Sequence, residues 1–159
     1  MRLYALIVND DYYKIMNQNK LYIIIALLTL TLLGGCAEIS SILKSGKPDL
    51  IYTKALEMMQ VEKWNKAEDL FEAARPYYQG TEREDSLMFY YAYCKYKNRD
   101  YETAVELLDA FRRRFGRSAF IENAEGMHAM CYYYLSPGPK RDQALTSQAI
   151  IAISEYLSH

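Results

Sequence analysis

The residue whose surroundings point most directly to a chemical reaction is Cys36. Its thiol follows Gly34 and Gly35, which end an apolar, threonine-containing run over residues 21–33. These 13 residues are too few to cross the ~30 Å hydrocarbon core of a bilayer as a helix, so the run is typical of a secretory signal segment. Cys36 is the first residue after this segment and its two glycines, and it is therefore the candidate site of covalent chemistry.

The five residues that end at Cys36, LLGGC, resemble the bacterial lipobox, whose cysteine becomes the acylated first residue of the mature protein. This resemblance implies a covalent lipid on Cys36, and we predict no other cofactor. The alternatives are a plain signal peptide, or a short anchor helix, with an incidental cysteine. Met16 is a plausible true start, because residues 17–20 then form a short positive region before the apolar run. Acyl burial, at ~0.8 kcal/mol per CH₂, would anchor the chain in a membrane. Ala37, where inner-membrane lipoproteins carry Asp, favours the periplasmic face of the outer membrane.

The sequence divides into three parts on this basis. Residues 1–35 are the predicted signal segment, and residues 36–47, which contain serines and a glycine, are the predicted lipidated tether. The remainder is long enough for one domain. We predict a repeat domain over residues 48–159, with approximate repeats at 48–80, 81–117 and 118–159.

Small residues recur in this domain at a fixed interval. Ala55, Ala92 and Ala129 are 37 residues apart, and a second alanine follows each of the first two after 12 residues. In the third repeat the second alanine comes eight residues late, after a proline-containing insertion over residues 136–143 that should be an exposed loop. A period of this size indicates stacked helical hairpins. We therefore predict an all-α solenoid of about three hairpins, in which alanines allow close helix approach.

Capping patterns place the helix boundaries. Thr81 and Glu84 have the spacing of a capping box at the start of the central hairpin, and Asp100 can cap its second helix. Pro76 and Gly80 should end the first hairpin. The predicted helices cover residues 49–60, 64–77, 85–97, 101–115, 119–135 and 144–157.

The residues around the alanines resemble the tetratricopeptide (TPR) repeat. The patterns WxxAxxxF from residue 64 and YxxAxxxL from residue 101 match the second helix of a TPR hairpin. In such arrays the first helix of each hairpin faces a concave surface, where Phe89, Tyr93 and Tyr96 fall on one stripe. Aromatic rings with polar edges suit an extended peptide that carries aromatic side chains. The candidate peptide groove comprises Tyr52, Phe89, Tyr93, Tyr96 and Tyr133; alternatively, these rings pack between helices.

The other reactive side chains show no spacing in the sequence that is typical of a catalytic or metal site. The only histidines are His128 and His159, and the sequence has no Ser-His-Asp set, phosphate-binding loop or metal-ligand spacing. Cys94 and Cys131 occupy equivalent positions in successive repeats and are predicted to be buried free thiols, although a disulfide is the alternative. The net charge of −1 gives no footprint for nucleic acid. We therefore predict that the protein is not an enzyme.

A single dense basic cluster lies over residues 111–117, FRRRFGR. It could be a patch for an acidic partner or for lipid headgroups. The alternative, which we favour, is a set of cations at a helix C-terminus, where the helix dipole stabilises them, followed by Gly116 as a cap.

Lipobox, tether and tyrosine-rich TPR hairpins together resemble the BamD family of outer-membrane β-barrel assembly lipoproteins. The likeness is carried by residues 63–71, 87–97 and 123–134, by the insertion that follows, and by residues 148–150. It implies a place on the periplasmic face of the outer membrane, and binding to a BamA-type insertase, to other assembly-machinery subunits and to unfolded outer-membrane proteins. Family members carry about five repeats, so we expect a C-terminally truncated member.

Two other classes remain open. One is a TPR scaffold lipoprotein of the cell envelope, which coordinates peptidoglycan or secretion machinery. The other is an enzyme with TPR-like additions, against which the inventory of reactive residues argues.

Overall fold

The computed structural model describes Tyr22, residues 39–136 and residues 143–158. All regular structure within these ranges is helical. The chain divides into two units, and the described part of the first, which ends at Ser45, contains a short helix over residues 39–44, within the predicted tether. The predicted signal segment apart from Tyr22, Cys36 and most of the predicted 136–143 loop lie outside the described residues.

The second unit is built from helical hairpins. Among the described residues its helices are α1 (Pro48–Gln60), α2 (Trp64–Tyr78), α3 (Glu84–Lys97), α4 (Tyr101–Arg114), α5 (Ile121–Leu135) and α6 (Ala144–Leu157). Each helix packs on the next one along the chain, and α3 also contacts α5. The pairs α1–α2, α3–α4 and α5–α6 are therefore successive hairpins, and the first helices of the second and third hairpins lie side by side. This arrangement confirms the predicted all-α, TPR-like fold.

The periodic alanines lie in the interior, as predicted. Their side chains are 0–4% exposed: Ala55, Ala67, Ala92, Ala104, Ala129 and Ala149. A methyl group keeps helix backbones close together, and larger side chains on the neighbouring turns fill the remaining space. Phe71 in α2 and Phe111 in α4 are such residues, and both are fully buried.

Most helix boundaries agree with the capping patterns. The Asp100 carboxylate accepts a hydrogen bond from the Thr103 backbone N–H at 3.3 Å, so Asp100 caps α4 as predicted. Pro76 lies inside α2, which continues to Tyr78, one residue beyond the predicted end of that helix. Gly80 follows with a φ of 78°, in the left-handed region that favours glycine after a helix. The α5 helix begins at Ile121, two residues later than predicted.

The spacing of Thr81 and Glu84 correctly indicated the start of α3, but the two residues do not form a capping box. The residue that precedes this helix is Arg83, and the Thr81 hydroxyl donates backwards to the Tyr78 carbonyl oxygen at 2.7 Å. Glu84 instead connects the loop that precedes α3 to the last turn of α4. Its buried carboxylate accepts hydrogen bonds from the Gly80 N–H at 2.7 Å and from Arg114 at 2.8 Å. The charge is thus satisfied by a partner 30 residues away, which a local capping pattern cannot anticipate.

Candidate functional site

An open groove runs between α3 and α5 and has a volume of about 310 Å³. Its lining is mainly aromatic and thioether: Phe89, Tyr93, Tyr96, Asn123, Gly126, Met127 and Met130. The three aromatic residues come from α3 at intervals of four and three, so they share one helix face. The structure therefore brings together three of the five residues of the candidate peptide groove.

Phe89 forms the floor of the groove and belongs to the core as well. Its side chain is 8% exposed and stacks on Phe120, with ring centroids 4.8 Å apart. It also contacts Phe111 from α4, at a centroid distance of 6.1 Å. The two interpretations made from the sequence, groove lining and packing between helices, thus both describe this residue.

Tyr93 is held from the side of the first hairpin. The Trp64 ring of α2 meets the Tyr93 ring edge-on, with centroids 5.7 Å apart. The Lys97 ammonium lies 4.9 Å from the centre of the Trp64 ring and 5.8 Å from that of Tyr93. A cation over two aromatic rings is attracted by both. Tyr93 is therefore a positioned wall residue that is only partly exposed.

Tyr96 lies in a second aromatic cluster at the other end of the α3 stripe. Its ring centroid is 5.8 Å from that of Tyr101 and 6.2 Å from that of Tyr134. Burial and the neighbouring Tyr134 hydroxyl raise the pKa of Tyr96 to about 12. This phenol is therefore neutral at physiological pH and acts as an apolar body with a hydrogen-bonding tip.

The opposite wall, on α5, was mostly missed by the sequence reasoning. Asn123, Gly126, Met127 and Met130 line it at intervals of three, one and three residues, which is one face of a helix. That spacing was available in the sequence, but methionine and glycine do not stand out as ligand-binding residues. Gly126 also admits the Tyr156 ring of α6, because a Cβ atom at position 126 would lie 3.2 Å from Tyr156 Cε2.

Tyr52 and Tyr133, the other two candidate residues, lie elsewhere. Tyr52 is buried in the first hairpin, where its ring contacts Phe71 and its hydroxyl donates to Ser86 Oγ at 3.1 Å. It packs between hairpins and does not line the groove. Tyr133 is 58% exposed on α5 and contacts Tyr134 without lining the groove.

A charged cluster occupies the side of α5 that packs on α4 and α6. Arg112 of α4 lies 3.2 Å from Glu155 of α6, 3.7 Å from Asp109 and 3.9 Å from Glu125. The buried His128 Nε2 approaches Asp109 Oδ1 at 3.0 Å, without the alignment of a good hydrogen bond. Burial lowers the pKa of His128 and outweighs the attraction of Asp109. His128 is thus buried, and it packs against charged neighbours.

This burial predicts that acid weakens the fold through His128. The folded-state pKa lies below the ordinary 6.5, so the unfolded chain binds a proton first as pH falls. We expect the free energy of unfolding to fall below about pH 7 and to level off below the folded-state pKa. His128→Gln removes the titration and should flatten this part of the profile, measured by urea unfolding between about pH 8 and about pH 5. Identical profiles for the two proteins would contradict the assignment.

The basic cluster over residues 111–117 is largely engaged within the fold. Arg112, Arg113 and Arg114 occupy the last turn of α4, where the helix dipole favours cations, as we predicted. Arg112 pairs with the carboxylates described above, and Arg114 pairs with Glu84. The helix ends at Arg114, and its C-cap residue is Phe115, not the predicted Gly116.

Cys94 and Cys131 are buried and free, as predicted. Burial raises the pKa of each thiol to about 12, so neither forms the reactive thiolate at neutral pH. In the part of the chain that the structure describes, no cluster of histidine, cysteine and carboxylate side chains could hold a metal ion.

Comparison with known proteins gives the family. The sequence profile of YfiO, described as an outer membrane lipoprotein, matches residues 44–159, which is most of the chain. A curated relative, the outer membrane protein assembly factor BamD of Caulobacter vibrioides, is 28% identical over 146 residues. That match covers 84% of this chain and 45% of the relative, so the chain spans about half the relative's length. The family match includes every helix that forms the groove, and the chain belongs to the YfiO/BamD family of outer membrane lipoproteins.

Proposed function

We propose that this protein is a component of the machinery that assembles β-barrel proteins in the outer membrane, and that it holds apolar segments of unfolded barrel proteins. The observation that carries the proposal is the apolar groove between α3 and α5, in a chain whose family consists of outer membrane lipoproteins. The BamD relative is an outer membrane protein assembly factor, and we propose the same role for this chain. The groove supplies a surface on which that role can be performed.

The groove is suited to side chains rather than to a folded partner. Its volume of about 310 Å³ is at the lower end of ordinary ligand pockets, so it accepts one or two bulky side chains. Phe89 and Tyr93 are fixed by neighbouring rings, so little side-chain entropy is lost when a ligand binds. Asn123 brings an amide group to the lining, which can pair with the backbone of an extended peptide.

The proposed partners follow from the same role. They are a BamA-type insertase, the other subunits of the assembly machinery and unfolded outer-membrane proteins. The proposed location is the periplasmic face of the outer membrane, to which a lipid on Cys36 would attach the chain. No helix among the described residues has both the length and the hydropathy to cross a bilayer.

A charge placed in the groove tests the proposal. Met130 is 39% exposed and lines the groove, so Met130→Glu should leave the fold intact while it puts a carboxylate among apolar groups. We expect the affinity for a synthetic β-strand peptide that carries Phe and Tyr to fall by about tenfold or more. The measurement is fluorescence anisotropy of a labelled peptide, with a second peptide in which serine replaces each aromatic residue.

The matched control is Leu145→Glu. Leu145 is 40% exposed on α6 and does not line the groove, so this variant makes the same change of charge at an equally exposed position. It should bind the aromatic peptide as the wild type does. Equal affinities for the Met130 variant and the wild type, or equal losses in both variants, would argue against the groove as the binding site.

A further inference from the structure

The sulfur atoms carried by the two groove helices, α3 and α5, differ in access to solvent. The thioethers of Met127 and Met130 belong to the lining, whereas the thiols of Cys94 and Cys131 are fully buried. Met127 is only 8% exposed, and Met130 is 39% exposed. Among the methionines that the structure describes, Met130 alone is exposed; Met58, Met59 and Met88 are half-buried.

Access decides the reactivity of these sulfur atoms. A thiol reacts with oxidants as the thiolate, and burial keeps both cysteines protonated. A thioether has no proton to lose, so its oxidation requires only contact with the oxidant. The groove is open to solvent along its length, and the Met130 side chain is the thioether that solvent reaches there most readily.

We propose that Met130 is an oxidation site, and that its conversion to the sulfoxide by hydrogen peroxide or hypochlorous acid weakens ligand binding in the groove. The site of oxidation follows from exposure alone. The effect on binding rests on the proposed function. The groove would then respond to oxidants that enter the cell envelope, through one side chain on its α5 wall.

The chemical step requires no residue other than Met130. With peroxide, a lone pair of the thioether sulfur attacks one oxygen, a sulfur–oxygen bond forms and the oxygen–oxygen bond breaks. The departing hydroxide and the proton released from the transferred oxygen form water. Sulfur loses two electrons and peroxide gains them. Methionine sulfoxide reductases, which draw electrons from a thiol reductant, reverse the change.

The product changes the character of the groove. A sulfoxide is a strongly polar acceptor, and it would stand beside a lining in which Phe89, Tyr93 and Met127 present apolar surface. A bulky apolar side chain of a ligand would have to displace water from the sulfoxide without replacing its hydrogen bonds. We expect the affinity for the aromatic peptide to fall by about fivefold to tenfold.

The experiment maps oxidation and measures binding on the same samples. The full chain is treated with increasing hydrogen peroxide, and sulfoxide at each methionine is measured by mass spectrometry of proteolytic peptides. We expect Met130 to be oxidised before Met58, Met59, Met88 and Met127 in the folded protein, and this order to disappear in urea. Reduction by methionine sulfoxide reductases that act on both sulfoxide epimers should restore the affinity.

Two variants separate the site from general damage. Met130→Leu keeps an apolar side chain of similar volume but cannot form a sulfoxide. Each protein is compared with its own untreated sample, and we expect peroxide to leave the affinity of the Met130→Leu variant where it was before treatment. Met59→Leu, outside the groove, should lose affinity as the wild type does. The inference is overturned if Met130 is not oxidised first, or if affinity survives its complete oxidation. It is also overturned if the Met130→Leu variant is inactivated as the wild type is.

The proposed function can fail independently of this inference. If the unoxidised wild type does not bind the aromatic peptide, the groove is not the binding site, and the proposed function is overturned together with the effect on affinity. The order of oxidation in the mass spectra still decides whether Met130 is the oxidation site.

Discussion

Replacing Phe89 by alanine is expected to lower the free energy of unfolding by about 3–5 kcal/mol. The Phe89 ring is almost fully buried, stacks on Phe120 and contacts Phe111, so its removal leaves a cavity between α3, α4 and the residue that precedes α5. The surrounding rings come from different parts of the chain and cannot all move inward to fill it. Chemical denaturation monitored by far-ultraviolet circular dichroism measures the change.

The control for this substitution is Tyr133→Ala. Tyr133 is another aromatic residue of the candidate groove, but its exposure predicts a change of only about 0.5 kcal/mol. Similar losses for the two variants would contradict the burial of Phe89. The comparison also shows why Phe89→Ala cannot test ligand binding, since a loss of affinity would be inseparable from a loss of structure.

Replacing Cys36 by serine is expected to move the protein from the membrane fraction to the soluble periplasmic fraction. Serine lacks the thiol that the predicted lipid requires, although it preserves the size and polarity of the side chain. The measurements are cell fractionation with an alkaline wash and incorporation of labelled palmitate.

The control is Cys94→Ala, which removes a different thiol. Cys94 is buried in α3, so this variant should keep both the palmitate label and the membrane association. Retention of the Cys36→Ser protein in washed membranes, with its label intact, would rule out the proposed lipid anchor.

The sequence predicted the features of the fold that depend on local spacing. The 37-residue interval of Ala55, Ala92 and Ala129 located three positions of close helix packing, all of them buried. The Asp100 cap was predictable because its partner, Thr103, is three residues away. The shared face of Phe89, Tyr93 and Tyr96 follows from helix periodicity alone.

The remaining features depend on how the hairpins stack. Periodicity places Tyr52 and Phe89 at equivalent positions, yet Tyr52 is enclosed by the Phe71 and Tyr78 rings, whereas Phe89 also lines a groove. The difference arises because α3 contacts α5, which supplies Met130 as part of the opposite wall. The packing angle between hairpins is set by many side chains together, so no single motif in the sequence encodes it.

We expect the placement of Gly126 to couple the order of the last helix to occupancy of the proposed groove. This residue belongs to the groove wall on α5, and the Tyr156 ring of α6 rests against it. The opposite side of α6 exposes Ile150, Ile151 and Leu157, so this helix is covered less completely than α4 and should exchange its amide hydrogens sooner. A ligand that stiffens the α5 wall would therefore slow exchange in α6, and by thermodynamic reciprocity a tightly docked α6 would favour the ligand.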